Sequence, residues 1–181
     1  MKLIRVIPLL VLLLFAVQVV AATEPPIPPQ APAQPTVQPE KLKLTDDEAK
    51  CLRVLNDERV ARGLKPLAVD ETLTKVARLH SQDMYKRNYF SHLEPGPEQY
   101  NPLDRYVRLL GYRPTCVVGE NIATCTGPMI GFMHKSLMES PTHKENILDR
   151  EYKYVGIGIW MAPDGRTWLT QMFSGDWRRA R

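Results

Sequence analysis

The chain has 181 residues, three cysteines and a formal charge of +4, a length that suits one domain with attachments. Lys2 and Arg5 supply two of those four charges and leave +2 for the remainder; part of that excess sits in the tail Arg178, Arg179, Arg181. Nothing in the sequence resembles the clustered basic face that nucleic-acid binding requires, so that partner class is excluded.

Residues 1–22 read as a secretory signal. Lys2 and Arg5 give a basic start, Val6 to Ala22 is apolar, and Val20, Ala21 and Ala22 offer small residues for cleavage. An uncleaved anchor is the alternative. It calls for ~20 apolar residues, and this run is shorter and interrupted by Pro8 and Gln18. Residues 23–41 are a proline-rich linker, which favours an extended polyproline conformation and spans roughly 50 Å at ~3.1 Å per residue. A domain is expected over 42–177, followed by a basic tail over 178–181.

Thr45 and Glu48 form a capping box, and Ala49, Leu52 and Leu55 follow at helical spacing up to Gly63. A second helix is expected from Asp70 to about Asn88, with Leu73, Val76, Ala77, His80 and Met84 as its apolar stripe. A third spans Pro102 to Leu110 between the cap Asn101 and Gly111. Tyr112 to Pro128 reads as a loop. Met129 to Met138 gives a fourth helix, and Ser140-Pro141 starts a short fifth one ending near Leu148. Tyr154 to Trp160 and Arg166 to Phe173 form a hairpin around Asp164-Gly165, and Gly156 and Gly158 permit close approach of another backbone. Helices first and a terminal hairpin indicate an α+β fold.

Export permits disulfides. Cys116 and Cys125 bracket one loop and are the expected pair, whereas Cys51 lies in a helical pattern as a small buried hydrophobe. No Cys-x-x-Cys, His-Glu-x-x-His or Gly-x-Ser-x-Gly pattern occurs. His143-Lys144-Glu145 begins a zinc-deaminase signature whose cysteine pair never follows. Of the four histidines, His80 belongs to an apolar stripe and His134 has no polar cluster near it in sequence. His92 and His143 sit at element boundaries, where side chains converge on clefts. Glu120 lies in a turn opened by Gly119, where a disulfide-braced loop would hold it rigid.

Leu55-Asn56-Asp57-Glu58-Arg59 followed by Gly63-Leu64-Lys65-Pro66-Leu67 resembles the opening of a CAP domain, also called the SCP domain. This is the superfamily of cysteine-rich secretory, antigen 5 and pathogenesis-related 1 proteins. Ser81-Gln82-Asp83-Met84, Phe90-Ser91-His92, Gly119-Glu120-Asn121-Ile122-Ala123, Ser140 to Leu148 and the two terminal strands agree in order. The likeness covers about Leu42 to Trp177 and is greatest to the short bacterial branch.

The resemblance implies an α-β-α sandwich with a central antiparallel sheet, including a strand around Arg113 to Ala123. It implies a cleft of two histidines and two acids. His92, Glu120 and His143 match three of these positions. Glu139 is the candidate for the fourth, although Leu137 replaces a family tryptophan and Ser140 falls at the acid's spacing. Glu139 is thus one residue, or about 100° of helix, away. Neutral imidazoles with a carboxylate suit Zn²⁺ or another divalent cation, with His92, Glu120 and His143 as ligands. Asn56, Arg59 and Asn121 are expected to support the loops.

Three functions are consistent with this reading. The first is a non-enzymatic, monomeric binding module of the envelope or extracellular space, with a lipid or envelope component as partner. The second is a metal-assisted hydrolase with Glu120 as general base. The third is a buried hydrogen-bond network of purely structural role.

Overall fold

A computed structural model describes residues 42–176. The expected signal, the linker, Trp177 and the basic tail lie outside these residues. The elements in chain order are α1 (Asp46–Val60), β1 (Ala68–Val69), α2 (Glu71–Lys86), α3 (Pro102–Leu110), β2 (Val118–Thr126), α4 (Ile130–Glu139), α5 (Pro141–Leu148), β3 (Tyr154–Met161) and β4 (Arg166–Ser174).

Local chemistry sets the helix starts. Thr45 Oγ1 accepts from Glu48 N, and Glu48 accepts in return from Thr45 N. Asp70 Oδ1 caps Leu73 N at 2.7 Å. Asn101 and Asp104 form a second reciprocal box, with Pro102 in the first turn, so that donors left free at each helix start are satisfied. Ser140 precedes α5 without a side-chain cap, and Pro141 alone pre-sets the first turn.

The sheet runs in the order β1-β3-β4-β2. Three strands are antiparallel, and the two-residue β1 joins parallel to β3. Strand alternation divides the core between two helical layers. Val155, Ile157, Leu169 and Phe173 pack with Cys51, Leu55, Ile130 and Met133 of α1 and α4. Met172 packs with Leu73, Ala77 and Tyr106 of α2 and α3, and Trp168 with Met84. A Cβ on Gly156 or Gly158 would collide with the α2 backbone at Leu73 or Ala77. These glycines let α2 lie directly on β3. The result is the α-β-α sandwich.

The expected loop Tyr112–Pro128 is corrected in part. Its second half is β2, paired with β4 from Val118↔Ser174 to Thr126↔Arg166. The expected Cys116–Cys125 disulfide is also corrected, because all three cysteines are free. Extended backbone carries Cys125 ~23 Å from Val118 at ~3.3 Å per residue, whereas a disulfide needs Cα atoms within about 7 Å. The two thiols also pack in different layers, Cys116 beside the α2–α3 cluster and Cys125 beside the α1–α4 cluster.

Candidate functional site

Strand β2 lies at an edge of the sheet, and its alternation builds the site. Glu120 and Ile122 face the α2–α3 layer, and Asn121 faces the α1–α5 layer. Adjacent residues of one strand therefore organise the two halves of a cleft.

On the first side, Glu120 is 6 % exposed and both its carboxylate oxygens are engaged. His92 Nδ1 lies 2.8 Å from Oε1, and Arg105 Nη2 of α3 donates to Oε2. Arg105, itself 3 % exposed, also donates through Nη1 to the carbonyls of His92 and Tyr100 at 2.9 and 3.1 Å. One guanidinium thus fixes both the carboxylate and the main chain of its histidine partner. A carboxylate on Nδ1 makes that nitrogen the donor and leaves Nε2 as the free acceptor. The His92 side chain is 46 % exposed.

His80 lies beneath this pair. Its Nε2 donates to Ser91 O at 3.1 Å and stands 3.7 Å from Glu120 Oε1. Burial pushes its imidazole down to about 4 against the opposing pull of Glu120. His80 is therefore a neutral strut under the His92 loop.

On the second side, Asn121 Nδ2 donates to His143 O at 3.0 Å and to Gln171 Oε1 at 3.2 Å. Asn146 Nδ2 donates to Asn121 Oδ1 and to Glu120 O. These amides tie α5 to the strand edge and set the His143 ring 6.5 Å from that of His92. Burial and the neighbouring His92 hold the His143 imidazole below its usual range. At the far end of α5, Arg59 Nη1 donates to the carbonyls of Ile147 and Asp149. Asn56 exchanges two bonds with the backbone of Leu67.

Phe90, Ser91, Leu93 and Ile122 join the two imidazoles in an open hollow of about 560 Å³. Phe90 and Leu93 are 51 % and 45 % exposed, so the rim is apolar. Glu139 is not part of this group: it pairs with Lys135 at 3.7 Å and its side chain is 66 % exposed. Helix rotation turns it away from the position a fourth member would occupy.

His92, Glu120 and His143 thus converge, but no three His, Cys, Asp or Glu side chains among the described residues are grouped to share a metal ion. Any divalent ion held here would take His92 and His143 as ligands, with Glu120 behind His92 as the orienting carboxylate. Arg105, His80 and Asn146 complete the arrangement. Arg105 carries no signal in the sequence beyond one charge in an amphipathic helix, and His80 is legible there only as a core residue.

The cysteine-rich secretory protein (CAP) family model matches residues 52–173, and the chain belongs to this family. It is 38 % identical over 129 residues to the uncharacterised protein YkwD of Bacillus subtilis, covering 71 % of this chain and 47 % of that protein. The chain thus spans about half the length of that relative. An extracellular protein containing an SCP domain from Bacillus anthracis aligns with TM-score 0.60 and 26 % identity, over 75 % of this chain and 45 % of that one. An outer surface protein of Borrelia burgdorferi aligns with TM-score 0.64 and 18 % identity, over 77 % of this chain and 97 % of the other.

Proposed function

We propose that this chain is an exported binding module whose cleft takes a divalent cation, Zn²⁺ above all, between His92 and His143. One observation carries the reading. Glu120 and Arg105 hold His92 through Nδ1 and its main chain, opposite a second imidazole that burial holds below its usual range. Two imidazoles with open positions bind a cation while leaving room for a ligand. A bound cation would act there as a Lewis acid gripping a ligand oxygen, and the rim of Phe90 and Leu93 would hold an apolar portion of the same ligand. This supports a lipid or envelope component as partner. Export is supported by the apolar leader after Lys2 and Arg5 and by relatives described as extracellular or outer-surface proteins.

The hydrolase reading needs Glu120 as a base, yet both its oxygens are committed and it is buried. A purely structural network calls for burial that His92 lacks. The test is calorimetric titration of Zn²⁺ into the protein, its His92→Ala variant and its His143→Ala variant. Heat of binding in the parent and its loss in both variants are expected; equal heats in all three overturn the proposal.

A further inference from the structure

A second hollow, of about 360 Å³, lies between the α1–β1 loop and the segment that leads from α5 into β3. It sits at the C-terminal end of α5, whereas His143 lies in the first turn of that helix. Among the described residues, four cationic residues line it, Arg59, Lys65, Arg150 and Lys153, and no acidic residue does.

None of these four forms an ion pair within 4 Å among the described residues. Arg105, also buried, has Glu120 as a partner. Arg59 is 2 % exposed, and its bonds among the described residues, from Nε to Lys65 O and from Nη1 to Ile147 O and Asp149 O, reach only carbonyl dipoles. Asp149 acts on it only through space, and the Asp149 carboxylate accepts from Glu151 N. A buried charge with no ion-pair contact is costly. Like charges around one hollow raise the local potential for anions.

We infer that this hollow is a phosphate-binding site, in which Lys65, Arg150 and Lys153 grip the phosphate oxygens and Arg59 supplies the fixed charge behind them. A carboxylate would be satisfied by one arginine fork. Four cationic residues around one hollow, with the Lys153 ammonium held at Arg150 O, match a group with more acceptors and up to two negative charges. Leu64 and Tyr152 in the wall offer an apolar surface to the carbon portion of a phosphate ester. The site is independent of the cation cleft.

The test uses two sources of the same chemistry at fixed ionic strength. Inorganic phosphate is titrated while the amide resonances of Gly63 to Lys65 and Arg150 to Lys153 are followed. Separately, the protein is sedimented with phosphatidylglycerol vesicles and with phosphatidylcholine vesicles. The triple variant Lys65→Ala/Arg150→Ala/Lys153→Ala is compared with Lys50→Ala/Arg53→Ala/Lys75→Ala, which removes the same charge elsewhere. Resonance shifts with inorganic phosphate identify a free phosphate; selective sedimentation with phosphatidylglycerol alone identifies a lipid headgroup. In either case the first variant is expected to bind at least tenfold more weakly and the second within twofold of the parent. The inference is overturned by no response in either arm, or by equal losses in the two variants.

Discussion

Nδ1 of His92 lies 2.8 Å from Oε1 of Glu120, and Arg105 takes the other oxygen of the same carboxylate. The acid therefore works on the imidazole from behind. Replacing it by an amide keeps the shape but lets either ring nitrogen carry the proton. Glu120→Gln is expected to weaken Zn²⁺ binding by about 10- to 100-fold, the usual penalty for losing an orienting partner, while Glu139→Gln leaves it unchanged. Calorimetric titration of both variants checks this.

Arg105 also has a stability role separate from any ligand. Arg105→Met removes the cation from a carboxylate that is 6 % exposed, and an uncompensated buried charge costs about 3–5 kcal/mol. The double variant Arg105→Met/Glu120→Gln removes the stranded charge and is expected to regain part of the loss. Urea unfolding of the parent, both single variants and the double variant gives the coupling energy. Additive losses would mean that the two side chains do not act as a pair.

Much of this fold is legible in the sequence because it rests on local chemistry: caps at Thr45, Asp70 and Asn101, apolar periodicity in α2, alternation in β3 and β4. Strand β2 is harder to read. Val118 to Thr126 contains Gly119, Glu120 and Asn121, residues that are poor strand formers on their own. They are extended because β4 supplies nine paired positions some fifty residues later in the chain. The same distance hides the site. Glu120 is visible as a motif residue, but its partner Arg105 comes from a helix whose pattern gives no reason to bury a charge. The expected disulfide fails on the same ground: Cys116 and Cys125 are near in sequence, yet an extended strand holds them apart in space.

Acid is expected to unfold the protein through its buried histidines. His80 is held down to about 4, and His134, with neither ring nitrogen hydrogen-bonded among the described residues, is also held low by burial. An unfolded histidine protonates near 6.5, so the unfolded chain binds protons that the folded chain refuses. Stability is therefore full above pH ~6.5 and falls as the pH drops toward 4, by about 3 kcal/mol from His80. His134→Leu removes a contributor that lies outside the cleft. Unfolding free energies at pH 7 and pH 5 are expected to differ less in that variant than in the parent; an undiminished difference would exclude His134 as a contributor.

Two glycines in regular elements separate close packing from mere tolerance. Gly158 lies in β3 with the backbone of Ala77 where its Cβ would stand. Neither the strand nor α2 can yield without breaking the sandwich, and Gly158→Ala is expected to cost about 3 kcal/mol or more. Gly131 lies in α4, and a Cβ there meets nothing within 4 Å. Alanine at that position only restricts the unfolded chain and favours helix, for a gain of up to about 1 kcal/mol. Thermal unfolding of the two variants reads both signs at once. A tolerated Gly158→Ala would show that the contact between α2 and β3 is looser than described, and with it the layer that carries His80 beneath the cleft.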